Sequence, residues 1–411
     1  MDRVEALERP LRRVAVVGSS LAGLRACEEL RALGFDGGLA LIGAEIHAPY
    51  DRPPLSKQFL AGKWDRDRIT LRTPDKIDGL DLDLRLGVSA EHLDLNDRSI
   101  DLSDGTTLPF DGLVIATGST PRSFPVGPGD AEGIYTLRTL DDSLRLQSVI
   151  AQSGARLVVI GAGFIGSEVS STAHDAGASV TVIEAAPVPL EHALGREMGE
   201  VCGHLQRDAG VDLRLGIGVE HIRTSSGHAT GVELADGSVV EADAVLVAIG
   251  VSPTTGWLDG SGLQITDGVV CDETLHAAPG VVAAGDIVHW PHATIGHDLR
   301  LEHWENAVGQ GAHAAASLLA GPIAADPFVP VPYFWSDQYG TKIQLVGHPE
   351  PDAEVRVVEG SLEEKRFVAL YGHGNRLVAA LTFGRPRLLV MYRRLLEERV
   401  SFEEALAYEP A

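Results

Sequence analysis

The chain has 411 residues, 44% of them hydrophobic and 22% charged, as expected of a globular protein with roughly two to four domains. Its 34 Lys and Arg against 58 Asp and Glu leave a formal charge of −24, which argues against nucleic acid or an anionic membrane as a partner of the general surface. No apolar run approaches the roughly 18 residues of a membrane helix, and Met1–Arg13 carries charges of both signs rather than a signal-peptide core, so a cytoplasmic protein is expected.

In chain order, the first signal is an apolar strand, Val14–Val17, running into Gly18-Ser19-Ser20-Leu21-Ala22-Gly23. Leu21, Leu24, Cys27 and Leu30 then recur on one helical face, and a second strand follows at Leu39–Ile42. Pro53 and Pro54 stiffen the loop after it, and Ser56 is expected to cap a short helix containing Lys57. The same strand, glycine turn and helix return at Leu157–Ile160 and Gly161-Ala162-Gly163-Phe164-Ile165-Gly166, with a further strand at Val180–Ile183. A longer repeat supports a duplicated plan. Residues 104–121 (DGTTLPFDGLVIATGSTP) and 236–253 (DGSVVEADAVLVAIGVSP) both open on a hairpin-type Asp-Gly and then share an Asp, a Gly and a Pro at fixed offsets. Beyond them a strand at Val281–Ala284 precedes Gly285 and Asp286, a helix is expected over Trp304–Leu319, and Gly321–Pro332 reads as a linker. The remainder alternates short strands with glycine turns and ends in a helical, Arg-bearing tail.

The second glycine loop is a complete G-x-G-x-x-G. Gly161 allows the tight turn, Gly163 lets a pyrophosphate approach the backbone, and Gly166 lets helix pack on strand. Glu184, closing the next strand, can accept hydrogen bonds from both ribose hydroxyls and would repel the extra phosphate of NADPH, so NADH is favoured. The first loop has Ser20 at the second glycine position, and Glu45 is the acid available for a ribose. His289, His292 and His297 lie in a Pro/Gly loop without metal-ligand spacing, and no metal is expected there. The cysteines form no CxxC or CxxxxC pair and read as small buried residues.

Six segments, in this order, carry a resemblance: PYDRPPLSK at 49–57, ATG at 116–118, GAGFIGSE at 161–168, AAGD at 283–286, HWENA at 303–307 and YFWSDQ at 333–338. Over nearly its whole length the chain resembles the FAD-dependent, NADH-using ferredoxin reductases of bacterial cytochrome P450 and aromatic-ring dioxygenase systems. The resemblance implies an α/β, glutathione-reductase-like fold. It would comprise two Rossmann-type dinucleotide-binding domains and a smaller C-terminal α+β domain. Residues 1–118 and 251–324 would bind FAD, 119–250 would bind NADH, and 325–411 would form the third domain. It further implies that Gly18, Ser20 and Gly23 face the FAD pyrophosphate, that Glu45 and Arg52 approach its adenosine half, and that Asp286 beside Gly285 binds the ribityl chain. Ala116, Thr117 and Gly118 belong to the same cofactor set. Lys57 would lie near the flavin ring and pair with Glu168, which would also hold the nicotinamide carboxamide. Gly161, Gly163, Phe164, Ile165, Gly166, Glu184 and Gly250 would serve NADH. The helix beginning around Glu302, His303 and Trp304 would point its positive end at the flavin, and Trp335 would line the ring.

The implied activity is transfer of hydride from NADH to FAD, then of single electrons to a [2Fe–2S] ferredoxin that feeds a P450 or a dioxygenase. The enzyme would be a monomer or weak dimer. An acidic ferredoxin needs a local basic dock, for which Arg66, Arg68, Arg72, Lys342, Arg393 and Arg394 are the candidates. The alternatives are a rubredoxin, nitrite-type or quinone-type acceptor on the same scaffold, an NADH-binding redox sensor of the apoptosis-inducing-factor type, or a cofactor-free binding module.

Overall fold

A computed structural model describes residues 11–124 and 131–409, which divide into two compact units. The first comprises residues 11–51, 67–120 and 252–330; the second comprises 52–66, 121–124, 131–251 and 331–409.

The first unit is built on a six-stranded sheet, in the spatial order His276–Ala278, Val281–Ala283, Gly112–Ile115, Arg13–Val17, Gly38–Gly43, Leu82–Leu86. All neighbours are parallel except the first pair. Strands in such a sheet are covered on both faces, which is why they read as unbroken apolar runs: Val14, Val16, Leu41, Leu113 and Val282 are all buried in one core. Helix Leu21–Ala32 crosses from Arg13–Val17 to Gly38–Gly43 and buries Leu24, Cys27 and Leu30, the face its periodicity marked. Helix Trp304–Ala320 packs against it backbone to backbone. A Cβ at Gly311 would strike the Ala22 carbonyl oxygen.

The second unit repeats this plan with five parallel strands in the order Asp212–Leu215, Ser179–Glu184, Arg156–Ile160, Ala244–Val247, Ile134–Tyr135. The long sequence repeat becomes the same structure twice. In each unit an Asp-Gly turn joins two strands of a small antiparallel sheet, and the chain then enters the central sheet beside the glycine-loop strand. The Asp side chains turn back on their own loops, with Asp104 accepting from the Thr106 amide and Asp236 from the Ser238 amide. The second acid of each copy anchors the start of the central strand. Asp111 accepts from the Arg13 amide at 2.9 Å, and Asp243 accepts from the Arg156 amide at 2.9 Å. Each also pairs with the guanidinium of that arginine.

The second unit also carries a five-stranded antiparallel sheet, in the order Tyr333–Gln338, Thr341–Gly347, Arg376–Phe383, Arg366–His373, Glu354–Ser361. These strands are six to eight residues long rather than short, and helices Leu389–Glu397 and Phe402–Leu406 follow. One face buries Phe367, Leu381 and Phe383 with Leu194 and Met198; the other buries Val368, Leu370 and Ala380 with Tyr392 and Phe402.

Residues 52–66, grouped with the first lobe by the sequence, pack in the second unit. Leu60 joins the core of Leu146, Ile150 and Val169, while Ser143 donates to the Leu55 carbonyl at 2.8 Å and Thr172 to the Ser56 carbonyl at 2.7 Å. The capping role expected of Ser56 is also corrected. Pro53 and Pro54 set a 3-10 turn, Pro53–Ser56, and Lys57 leaves helical geometry at φ −126°, ψ −108°, so Ser56 ends a turn instead of starting a helix. No described helix is long and apolar enough to cross a membrane.

Candidate functional site

Each central sheet ends in a glycine loop with the same construction. Gly18 and Gly161 have φ of 118° and 101°, and a Cβ on them would sit on the carbonyl oxygens of Ala116 and Ala248. A Cβ on Gly23 or Gly166 would sit on the carbonyl oxygen of Gly18 or Gly161, so the third glycine is required by helix-on-strand packing in both units. The middle position is different. Ser20 and Gly163 are both extended, at φ −95° and −72°, and a Cβ on Gly163 would meet no protein atom. Nothing within the protein therefore requires glycine there, and Ser20 fits without strain.

The two helices that follow are left open at their N-termini. Neither has a side-chain cap or an acid in its first turn. By contrast, helices Leu140–Ile150 and Phe402–Leu406 are closed by full capping boxes, Thr139 with Asp142 and Ser401 with Glu404. Two glycine-loop helices without acids keep their first N–H groups and dipole ends for an anion, which fits the pyrophosphate of a dinucleotide in each unit.

The acids beside the loops are arranged differently. Glu184 ends its strand, where Oε2 accepts from the Ala162 amide at 2.7 Å and Oε1 from the Ala186 amide at 2.8 Å. In the first unit the same register position is Gly43, where a Cβ would strike the Ser19 hydroxyl. Glu45 lies two residues farther on and takes a short hydrogen bond from the Tyr50 hydroxyl. Arg52 donates to the Arg138 carbonyl at 2.6 Å. Asp286 accepts from Ser119 at 2.8 Å, beside the tip residues Ala116, Thr117 and Gly118; Thr117 donates to the Thr254 carbonyl at 2.9 Å. Gly285, at φ 84°, gives its amide to Gln310. At the start of helix Trp304–Ala320, Glu302 pairs with Arg300 at 2.6 Å, His303 is the capping residue, and Trp304 donates to Asp51 at 2.7 Å.

The expected Lys57–Glu168 pair forms, at 2.5 Å, with both side chains nearly excluded from solvent. Burying two opposite charges requires good geometry and further hydrogen bonds, and both are present. Glu168 Oε2 also accepts from Ser56 at 2.5 Å, and Oε1 accepts from Ser336 at 2.7 Å. Sequence reasoning missed these two serines and Gln338, which donates to Ser336 at 2.9 Å. One signal was available: helix Phe164–Asp175 buries Ser167, Glu168, Ser170, Ser171 and Thr172 consecutively with Val169, far more polarity than a core-facing helix tolerates without partners. Tyr339 answers two of them, bonding Ser170 through its hydroxyl and Ser171 through its amide.

The aromatic run at 333–335 splits by strand alternation. Phe334 faces inward against Phe164, edge to face at 4.5 Å, while Tyr333 and Trp335 stack on the opposite face at 6.0 Å. Ile165 is exposed on the glycine loop, and Gly250 at φ 95° would place a Cβ in open space.

The three histidines of the loop each have other partners: His289 bonds Thr266, His292 bonds the Pro330 carbonyl, and His297 bonds the Asp298 carbonyl. Cys27, Cys202 and Cys271 are buried free thiols, and burial pushes the Cys202 thiol up to about 12, beyond useful nucleophilicity at neutral pH.

Two Rossmann-type lobes, each with an open glycine-loop helix, define a protein of the two-dinucleotide α/β class. Residues 12–311 match the pyridine nucleotide-disulphide oxidoreductase family and residues 333–411 match the reductase C-terminal family. Among curated proteins, rhodocoxin reductase of Rhodococcus erythropolis is 36% identical over 93% of this chain and 89% of its own. The ferredoxin–NAD(+) reductase component of the anthranilate 1,2-dioxygenase system of Burkholderia cepacia is 35% identical over 93% of each. The putidaredoxin reductase–putidaredoxin complex, a solved structure, superposes with a TM-score of 0.91 at 34% identity, covering 97% of this chain and 96% of that one. The chain belongs to the pyridine nucleotide-disulphide oxidoreductase family, as a FAD- and NAD-dependent ferredoxin reductase akin to those of P450 and dioxygenase systems.

Proposed function

We propose that this enzyme works in the cytoplasm and carries electrons from NADH to a [2Fe–2S] ferredoxin serving a P450 or ring-hydroxylating dioxygenase. The observation that carries the reading is the pair of uncapped glycine-loop helices, one in each unit, alongside the buried Lys57–Glu168 pair. The domain division expected from sequence is retained as part of the proposal, with residues 52–66 reassigned to the second unit. In the first unit Gly18, Ser20 and Gly23 cradle the FAD pyrophosphate, Asp286 takes a ribityl hydroxyl, and Glu45 serves the adenosine half. In the second unit Gly161, Gly163, Gly166 and Gly250 admit NADH, and Glu184 takes its adenosine ribose. When bound, FAD supplies the chemistry of accepting hydride and releasing electrons singly.

The residues supply position and charge. Glu168 holds the nicotinamide carboxamide, and Lys57 offsets negative charge that reduction places on the flavin. Trp335 offers a flat face, and the N-terminus of helix Trp304–Ala320 adds a positive dipole end. For the dock, Arg72 pairs with Glu28, Lys342 with Asp337, Arg393 with Glu397 and Arg394 with Glu398. Arg66 and Arg68 stand exposed on the short helix Arg66–Ile69. The test is NADH-driven cytochrome c reduction with and without added [2Fe–2S] ferredoxin. A large ferredoxin-dependent rate is expected. Fast reduction of bound flavin with no ferredoxin effect would assign the enzyme to another acceptor.

A further inference from the structure

We infer that Ser336 is a positioning residue that fixes the orientation of Glu168 for NADH. This rests on the reading of Glu168 as the group that holds the nicotinamide.

The argument is one of donors and acceptors. An ionised carboxylate only accepts, so the 2.7 Å bond between Ser336 Oγ and Glu168 Oε1 commits the single serine hydrogen to Glu168. The serine oxygen can then only accept from Gln338, whose Nε2 lies at 2.9 Å. The amide of Gln338 is therefore locked with its NH2 toward Ser336. Its own carbonyl oxygen is buried without a protein hydrogen-bond partner. All three side chains are essentially excluded from solvent.

The chain of bonds has a directional purpose. Lys57 and Ser56 both act on Oε2 of Glu168. With those two alone only one oxygen is held, and the carboxylate plane can turn about the Cγ–Cδ bond. Ser336, arriving on a strand of the C-terminal sheet, fastens Oε1 and stops that rotation. Ser336 lies 168 positions from Glu168, so the C-terminal sheet thereby sets the orientation of the nicotinamide-holding acid.

Three variants of the flavin-loaded enzyme test this: Ser336→Ala, Glu168→Gln and the double substitution. The readouts are NAD+ affinity by isothermal titration calorimetry and the split between KM for NADH and kcat. Ser336→Ala is expected to weaken NAD+ binding and raise KM for NADH about 10-fold, the scale of one hydrogen bond to a charged group. The KM for ferredoxin should stay unchanged. The double variant is expected to bind NAD+ no more weakly than Glu168→Gln alone, because Ser336 acts only through Glu168. Additive losses, or wild-type NAD+ affinity in Ser336→Ala while Glu168→Gln is weakened, would overturn the inference and leave the role of Glu168 standing. Wild-type NAD+ affinity in Glu168→Gln would overturn that role itself. Should Ser336→Ala fail to fold, Gln338→Met removes the hydrogen bond that the Ser336 oxygen accepts and frees the serine to turn away from Glu168. A several-fold loss of NAD+ affinity is then expected, and none would count against the inference.

Discussion

The two glycine loops are copies of one device, alike at their first and third glycines and different at the middle residue and at the residue that ends the neighbouring strand. Their first and third glycines are interchangeable in function, since each keeps a Cβ off a backbone carbonyl oxygen. At the middle position the first loop has Ser20 and the second Gly163, where a Cβ would meet no protein atom. Their acids also diverge. The second loop ends its neighbouring strand in Glu184, bonded to the loop's own Ala162 amide, whereas the first has Gly43 there and an acid two residues later that is tied to Tyr50. The first and third glycines answer the same backbone clash in both loops, while the middle residue and the acid proposed to serve a cofactor differ.

The strongest way to break this comparison is at the shared positions. Gly23→Ala and Gly166→Ala each drive a methyl group into backbone and should cost on the order of 1–3 kcal/mol or more locally. Gly23→Ala should yield protein depleted in flavin. Gly166→Ala should keep its flavin and lose most NADH-driven reduction. Flavin absorbance per chain and anaerobic reduction rates check both, and flavin loss from Gly166→Ala would mean that the lobes have been assigned the wrong way round.

Next in size is the divergent acid. Glu184→Ala with Ala185→Arg removes the ribose acceptor and supplies a cation for a 2′-phosphate. Preference should move toward NADPH by about 10- to 100-fold, the worth of one charge-assisted contact. Unaltered selectivity in kcat/KM would point to another ribose acid.

The middle position sharpens the comparison with a smaller effect. Gly163→Ser should raise KM for NADH by a few fold, since the hydroxymethyl group enters the space where the pyrophosphate approaches. Ser20→Gly should leave flavin content within about twofold of the parent, for the reverse reason.

The smallest effect is in pH. Burial depresses the pKa of His276 and His292 in the first unit. Their contribution to stability is whole above the unfolded histidine value of about 6.5 and is lost as pH falls through the folded values. In the second unit the Arg156 hydrogen bond lowers the pKa of Asp243. Its contribution persists to about pH 4 before declining. Between pH 7 and pH 5 these two histidines therefore weaken the first unit. His292→Gln should narrow the Tm difference between those two pH values, and an unchanged difference would remove His292 from the account.

Much of this was legible in the sequence because it is local. The two loops and the 104–121 and 236–253 repeat are written in turn residues at fixed spacing, and each strand–turn–helix follows from neighbours in the chain. Lys57 and Glu168 were reached by resemblance, and the structure adds what holds them. Ser336 and Gln338 lie in the YFWSDQ segment that carries the resemblance, yet their bonds were not legible, because the partner of Ser336 is set by the packing of a distant sheet. Ser56 was misread for a local reason: a serine after two prolines suits a helix cap, yet the backbone turns out of the helix at Lys57 and the hydroxyl is taken by Glu168.

The central claim is that one glycine loop holds FAD and the other is free to exchange NAD(H). It is tested most directly by titrating NAD+ into the flavin-loaded enzyme while following heat and flavin absorbance together. The account predicts saturation at one NAD+ per chain with all flavin retained. Displacement of flavin by NAD+, or two equivalent NAD+ sites per chain, would contradict it.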